Sequence, residues 1–426
     1  MTGLLAATTA GIQGNPAIIL AIFVITYLGI AMGRFPGLKL NRTGIVLLGA
    51  IAVLTFGGLT TADAIAFINW PTILLLFGFF VISAQLRLSG FYDRVAGGIS
   101  ARLEHPARFM LLLMVVAGGL SAVLNNDIVA FVFAPIVGAA LLRQRLNPVP
   151  FLIALAIATN IGAAATLIGN AQGIMIGQIA HLSFAHYLFW AALPVVLALA
   201  AAFGLIWWLS GKEVDKALLA RASSDFSDES YPFDLAHTIK GLVILVAVIG
   251  MFFTSVPKEI TALVAAGIHL ASPKFRTEDL FKRVDWSILV LFMGLFVVTG
   301  AFQNAGYGTQ IAQWLTRANV NLNSPYTLAL TTAGLSNLIG NSGTVMLLLK
   351  LIDLSHPTNG YVLAAANSFG GNLLLIGSVA NIIVVQQART LGIRIGFMDF
   401  ARLGVPVTIA ALVILLLWVW LWSLLG

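Results

Sequence analysis

The sequence contains no cysteine and very few charged residues. Only 9% of its 426 residues are Asp, Glu, Lys or Arg, whereas a soluble globular protein carries about 25%. The missing cysteines exclude disulfides, thiolate metal sites and cysteine nucleophiles. So few charges cannot cover the surface of a soluble protein of this length, and 59% of the residues are hydrophobic. The composition therefore predicts a polytopic membrane protein, and neither an enzyme nor a nucleic-acid binder.

Long apolar runs divide most of the chain into membrane spans. A bilayer core about 30 Å thick needs about 20 apolar residues as a helix. The N-terminal residues carry no basic group before the first run, so we expect a retained span and no cleaved signal peptide. The expected full spans lie near 16–33, 43–60, 70–87, 187–210, 239–254, 258–272, 285–303 and 403–424.

Four further segments are apolar but too irregular for simple spans. Residues 108–143 place Asn125-Asn126-Asp127 in the middle of an apolar stretch, and 149–181 contain TNIGAAATLIGNAQG. Residues 326–355 contain LSNLIGNSGT, and 361–388 contain NSFGGNLLLIGSVAN. We interpret the first and third as helical hairpins and the second and fourth as broken transmembrane helices, which are typical of secondary transporters.

The two halves of the chain repeat each other. Trp70 with the apolar run after it aligns on Trp286 at an offset of 216, with six of 22 positions identical. Two further matches follow in the same order at offsets of 215 and 208, which indicates duplication. Five membrane crossings separate Trp70 from Trp286. Because this number is odd, the second copy of the repeat has the opposite orientation in the membrane. The predicted organisation is an N-terminal span and cytoplasmic loop (1–42), a first inverted repeat (43–210), a cytoplasmic linker (211–238) and a second inverted repeat (239–426).

The distribution of basic residues predicts the orientation. Of the 23 Lys and Arg residues, 20 fall in loops on one side of this layout. The positive-inside rule makes that side, with the linker 211–238, cytoplasmic and places both termini in the periplasm. A twelve-span layout with both termini inside is the alternative. We expect a multi-pass protein of the cell inner membrane.

Asp127 is the acidic residue in the middle of an apolar segment. Burying a carboxylate costs several kcal/mol unless it is paired, solvated or protonated, so Asp127 is the candidate for proton coupling. The alternative is that it only caps the half-helix that follows it. Lys350 is a possible secondary charge that faces the cavity, or a side chain that reaches the outer interface.

The Gly- and Asn-rich breaks are the candidate substrate site. Irregular backbone at membrane depth survives only where protein or a water-filled cavity surrounds it. The six histidines have no metal-ligand spacing inside a span, so we expect no metal site, and no P-loop is present. We expect the substrate to be bound by Asn125, Asn126, Thr159, Asn160, Gly162, Gly169, Asn170, Asn341, Ser342, Thr344, Asn367, Ser368, Gly370, Asn372, Gly377 and Ser378.

These motifs resemble the ion transporter superfamily and, within it, the ArsB-type arsenical efflux permeases. The likeness rests on NNDIVAFVFAPIV at 125–137, TNIGAAATLIGNAQGIMIG at 159–177, LSNLIGNSGTVMLLL at 335–349 and GGNLLLIGSVANIIVVQQA at 370–388. It implies an all-α fold with scaffold and transport subdomains and an elevator-like motion. An acidic residue that the family often has at the position of Asn170 is absent, which leaves Asp127 as the principal ionisable group.

The resemblance implies export of arsenite and antimonite from the cytoplasm in exchange for protons. A sodium/proton antiporter and a symporter for a dicarboxylate or oxyanion are the alternatives. We expect no cofactor. Membrane lipid surrounds such a protein, and association with a soluble arsenical pump ATPase or a second copy in a homodimer stays open.

Overall fold

The computed structural model describes residues 15–32, 40–100, 105–211, 232–318 and 320–425, and within these ranges every regular element is a helix. Most of the predicted linker at 211–238 lies outside them. The helices are α1 Pro16–Met32, α2 Arg42–Phe56, α3 Thr61–Phe67, α4 Trp70–Leu88, α5 Phe91–Ser100, α6 Pro106–Val123, α7 Asn126–Arg143, α8 Val149–Ala163, α9 Ala171–Ile179, α10 Phe184–Ser210, α11 Leu235–Met251, α12 Lys258–Leu270, α13 Thr277–Phe281, α14 Trp286–Asn304, α15 Tyr307–Arg317, α16 Pro325–Leu348, α17 Pro357–Gly370, α18 Val379–Thr390 and α19 Phe397–Leu425.

The predicted all-α polytopic membrane fold is confirmed. Among the described residues, six helices are long and apolar enough to cross a membrane, namely α4, α6, α7, α10, α14 and α19. The shorter apolar helices α1, α2, α8 and α11 add to them. Each predicted full span coincides with a helix, and the helix ends differ from the predicted ends by a few residues.

The same order of helices occurs in both halves of the chain. Helices α4 and α14 each have 19 residues and begin at Trp70 and Trp286, 216 positions apart. Both are followed by a glycine with positive φ, Gly90 at 72° and Gly306 at 85°. Only glycine adopts this backbone without strain, so each half turns from its long helix into a short amphipathic one, α5 or α15, at the same place. Matched sequence thus builds matched local structure.

The first compact unit comprises Met1–Trp70, Trp286–Val320 and Met346–Leu351. In it α14 packs on α1, α2 and α3. The ring of Phe23 stacks on Tyr27 and on Phe302, and the hydroxyls of Tyr27 and Thr299 lie 3.1 Å apart. A Cβ on Gly294 would lie 2.8 Å from the side chain of Val46, so the absent side chain lets α14 approach α2 closely.

The second compact unit comprises Pro71–Asp285, Asn321–Val345 and Ile352–Gly426. Helix α8 lies at its centre, in contact with α6, α7, α10 and α18. Residues 150–163 of α8 and 359–370 of α17 are all buried. Both helices end in irregular backbone inside this core, which positions the candidate site.

Helix α5 is amphipathic and buries one of its faces. Tyr92 and Ala96 are fully buried. The contacts of α5 with α6 and α7 explain this burial. The apolar positions on α5 are four residues apart, which places them on one face of the helix.

Candidate functional site

Both predicted broken helices are broken. Helix α8 ends at Ala163, and the chain runs irregularly until Asn170 caps the start of α9 by accepting a bond from the backbone N–H of Gly173. Helix α17 ends at Gly370, and after a short 3-10 helix at Leu375–Gly377 the chain enters α18. Unwound backbone therefore lies at two places in the core of the second unit.

The predicted hairpin at 108–143 turns at the polar residues between α6 and α7. Asn125 caps α7, and its Oδ1 accepts a bond of 2.8 Å from the backbone N–H of Asp127. The backbone N–H of Asn126 donates to the carbonyl of Gly169, 3.1 Å away in the first break. The predicted hairpin at 326–355 contains its own interruption, because Gly340 inside α16 has φ 76° and ψ 161°.

Asn160, near the end of α8, is the centre of a buried network of side chains. Its Oδ1 accepts bonds from Asn126 at 3.1 Å and from Ser378 at 2.9 Å. Its Nδ2 donates to the Oδ1 atoms of Asn372 and Asn381, each at 2.9 Å. One amide thus joins a hairpin tip of the first half to the second broken helix.

Asn337 and Asn381 hold the second break in place. Asn381 donates to the carbonyl of Gly371 at 2.8 Å. Asn337 donates to the carbonyl of Gly370 at 2.8 Å and accepts from the backbone N–H of Leu374 at 3.1 Å. Backbone groups that lost their helical partners are satisfied in this way, as buried backbone requires.

Two further hydrogen bonds join residues of the two halves. Asn170 donates to the hydroxyl of Ser368 at 2.9 Å, and Gln172 donates to that of Ser342 at 2.7 Å. Ser342 is the repeat partner of Asp127, so a neutral hydroxyl stands where the first half has its carboxylate.

Several buried polar atoms around the breaks have no hydrogen-bond partner among the described residues. Leaving such an atom unsatisfied costs about 1–3 kcal/mol, a cost that is avoided when water or a solute binds it. They are Oδ1 of Asn341, Oγ1 of Thr344, Oδ1 and Nδ2 of Asn367, and Nδ2 of Asn372. Asn341 also lies against the second break, since a Cβ on Gly371 would be 3.0 Å from its Nδ2.

Asp127 lies in the first turn of α7, next to Asn126 in the chain. It is partly exposed, and its carboxylate makes no ion pair in the part of the chain that the structure describes. Asn125 supplies the side-chain cap of α7, and Asp127 lies in the first turn, where the partial positive charge of the helix N-terminus favours a carboxylate. Lys350 is exposed at the turn after α16.

Thr159 uses its hydroxyl inside its own helix. The Oγ1 atom donates to the carbonyl of Ala156 at 2.8 Å. The network around Asn160 contains no bond from Thr159 within the described residues.

The polar contacts around the breaks also involve residues that are not among the predicted site residues. Asn337 falls inside the predicted hairpin at 326–355 and Asn381 inside the predicted broken helix at 361–388, but neither has an asparagine at the matching repeat position. Thr166 donates to the carbonyl of Ala122, and Gln172 binds Ser342. The amide and hydroxyl side chains inside the TLIGNAQG and GSVAN stretches are the sequence feature from which Thr166, Gln172 and Asn381 could have been predicted.

The predicted glycines allow close backbone contact at the site. A Cβ on Gly162 would lie 2.2 Å from the carbonyl oxygen of Gly118 on α6, and one on Gly169 would lie 2.4 Å from that of Ala163. In the second half, Gly370 lies against Ala333, and a Cβ on Gly377 would meet Asn337 at 2.3 Å.

We expect Gly162→Ala to destabilise the fold by about 1–3 kcal/mol, the usual range for overpacking, because α6 and α8 must separate. Gly119→Ala is the matched control on α6, where a Cβ meets nothing within 4 Å. Thermal unfolding of the two purified variants in detergent measures the difference. Equal stability of both variants would contradict the close approach of α6 and α8.

The hydrogen-bond network around Asn160 is electrically neutral. Its side-chain members are Asn126, Asn160, Asn372, Ser378 and Asn381. None is cationic, and Asp127 is the adjacent charge. Nor do the described residues contain a group of three or more His, Asp or Glu that could hold a metal ion.

Comparison with known proteins identifies relatives along most of the chain. The profile of a family described as citrate transporter (CitMHS) matches residues 18–366. An uncharacterized transporter of Mycobacterium tuberculosis is 30% identical over 419 residues, covering 93% of this chain and 96% of that protein. The silicon efflux transporter LSI3 of Oryza sativa subsp. japonica is 26% identical over 432 residues, covering 83% of this chain and 86% of that protein.

One solved structure is similar along almost its whole length. The crystal structure of the Alcanivorax borkumensis YdaH transporter aligns with a TM-score of 0.59, covering 95% of this chain and 98% of that one. The sequence identity is 13%, so this likeness concerns the fold alone.

Proposed function

The chain belongs to the CitMHS citrate transporter family of the ion transporter superfamily, and we propose that it exports arsenite and antimonite in exchange for protons. As a member of this family it is a secondary transporter. The choice of solute and coupling ion is our proposal, and it rests on the chemistry of the site.

The neutrality of the network around Asn160 is the observation that carries the proposal. Arsenite near neutral pH is mainly As(OH)3, an uncharged trihydroxide. Such a solute needs hydrogen-bond donors and acceptors, which amides and hydroxyls provide. The unpartnered atoms of Asn341, Thr344 and Asn367 offer further bonds.

The silicon efflux relative supports the same class of solute. Silicic acid, Si(OH)4, is also a small uncharged hydroxide, and the relative is named for the efflux of silicon. A site of amides and hydroxyls suits both solutes. The absence of cysteine suits arsenic(III) in particular, because this ion binds thiolates tightly and would leave them slowly.

Asp127 is the proposed proton carrier. It is the carboxylate beside Asn126, so its protonation state changes the charge next to the solute network. A proton that enters through an inside-negative potential supplies roughly 2.3 kcal/mol per 100 mV, which supports a solute gradient of about 50-fold at one proton each. In the proposed cycle, which follows an elevator-type alternating-access mechanism, Asp127 takes up a proton from outside and releases it inside.

The orientation stays part of the proposal. The 20 basic residues on one side of the layout favour a cytoplasmic linker at 211–238 and periplasmic termini in an inner membrane. Export then requires the solute to enter from the side of that linker.

Arsenite uptake into inside-out vesicles tests the proposed function. We expect an imposed proton gradient to drive accumulation, and antimonite and silicic acid to compete with arsenite while citrate does not. Vesicles without the protein are the control. Accumulation of citrate, with no accumulation of arsenite, would overturn the choice of substrate and leave the family unaffected.

A symporter for a carboxylate is the second candidate, and one structural feature favours it. The N-cap residues of α7, α9 and α18 all belong to the candidate site, and they are Asn125, Asn170 and Ser378. Helix N-termini carry partial positive charge and attract anions. Sodium-dependent uptake that citrate inhibits would favour this candidate over arsenite export.

A further inference from the structure

A cavity of about 390 Å³ lies in the second unit, away from the Asn160 network. It lies where α4 ends at Leu88 and where the chain enters α11. Both helices are apolar, and the ends of helices that span a membrane lie at the boundary between membrane and water. We call it the interfacial cavity. Its lining includes Leu88, Asp234, Lys274, Phe275, Lys282 and Arg283.

Cationic residues outnumber acidic ones around the interfacial cavity. Three cations line it, against the two carboxylates of Asp234 and Asp279. The ammonium group of Lys274 and the backbone N–H of His237 hold the pKa of the Asp234 carboxyl well below its usual value. Asp234 therefore stays ionised and balances Lys274, and Lys282 remains exposed in the lining.

A further cation lies close to the interfacial cavity. The guanidinium of Arg94 lies over the ring of Phe233, 5.6 Å from its centre. Phe233 stands between Pro232 and Asp234, which both line the cavity. Basic pockets between transmembrane helices bind anionic lipid headgroups.

An apolar stripe leads from the cavity along α11. Leu235 directly follows Asp234 and is 61% exposed, and Ile239, Val243 and Val246 are 51%, 61% and 67% exposed. Their spacing of three and four residues places them on one face of the helix. An acyl chain that lies along this face has its headgroup at the level of the interfacial cavity.

We propose that the interfacial cavity binds the phosphate headgroup of an anionic glycerophospholipid whose acyl chain lies along the exposed face of α11. A free phosphate ion shares the headgroup chemistry. The continuity of the basic cavity with the apolar stripe favours the lipid, because a free ion gains nothing from that stripe.

Lipid titration of the delipidated, purified full-length protein tests this proposal. Binding of phosphatidylglycerol is measured by native mass spectrometry beside phosphatidylcholine with the same acyl chains, and inorganic phosphate is added as a competitor. We expect Lys282→Gln to weaken phosphatidylglycerol binding about five-fold, the contribution of one basic residue near a membrane surface. Arg276→Gln removes the same charge from an exposed residue that does not line the cavity, so it is the matched control.

Each outcome decides the proposal. Weaker phosphatidylglycerol binding in Lys282→Gln alone, with no competition by millimolar phosphate, supports the lipid site. Equal phosphatidylglycerol binding by the two variants, whether weakened in both or at the wild-type level in both, would overturn it. Equal binding of phosphatidylcholine, or displacement of the lipid by phosphate, would overturn it as well. Transport is not the readout, so the result is independent of the proposed substrate.

Discussion

Asp127→Asn abolishes proton-driven accumulation of arsenite in inside-out vesicles, if Asp127 is the proton carrier. Asparagine has nearly the same shape as aspartate but cannot take up and release a proton. In the wild type, one proton supports an arsenite gradient of about 50-fold per 100 mV. In the variant, arsenite therefore only reaches equal concentrations on the two sides of the membrane. The backbone N–H of residue 127 remains in the variant, so the cap from Asn125 is kept and the fold is expected to survive.

Two controls separate loss of coupling from loss of the protein. Exchange of arsenite for arsenite across the membrane needs no net proton movement, so Asp127→Asn is expected to keep it. Glu278→Gln removes the same charge from a residue of the short helix α13 whose side chain is 69% exposed, and it is expected to behave as wild type. Full proton-driven accumulation by Asp127→Asn would place the proton site elsewhere, with Lys350 as the next residue to test.

The spans were predictable because a long apolar run has few alternatives to a transmembrane helix. Helices α4 and α14 begin at the tryptophans that mark the repeat, Trp70 and Trp286. The short helices α3, α13 and α15 were not predicted, since each has fewer than 12 residues and no sustained apolar run. For α3 a capping motif marks the helix where hydropathy does not, because Thr60 and Asp63 form a capping box at its start.

The location of the site was predictable, but its bonding was not. Glycine and asparagine inside apolar segments predicted broken helices, and Asn160 lies in such a motif. Its bond to Asn381 joins residues 221 positions apart, and it depends on how two unwound segments pack. The hydroxyl of Thr159 stands one residue earlier and bonds within α8. Sequence alone does not separate two neighbouring polar residues that point in different directions.

Asn160→Ala is expected to have the largest effect on stability and to abolish transport. The substitution removes four hydrogen bonds at once and leaves polar atoms of Asn126, Asn372, Ser378 and Asn381 without this partner. Each buried polar atom left unsatisfied costs about 1–3 kcal/mol, so we expect a loss of about 3 kcal/mol or more after partial relaxation. Denaturant unfolding in detergent micelles measures the change.

Asn359→Ala is the matched control for Asn160→Ala. Asn359 is also buried, but its side chain donates one bond, to the carbonyl of Asp353 at 2.8 Å. We expect it to lower stability by only about 1–2 kcal/mol and to keep arsenite uptake. All four hydrogen-bonding positions of the Asn160 amide are used within the network, so Asn160 acts on the solute by holding the two breaks in place. Uptake should therefore be lost even below the unfolding temperature, where Asn160→Ala remains folded. Wild-type uptake by folded Asn160→Ala would restrict Asn160 to a structural role and move the solute contacts to the unpartnered atoms of Asn341, Thr344 and Asn367.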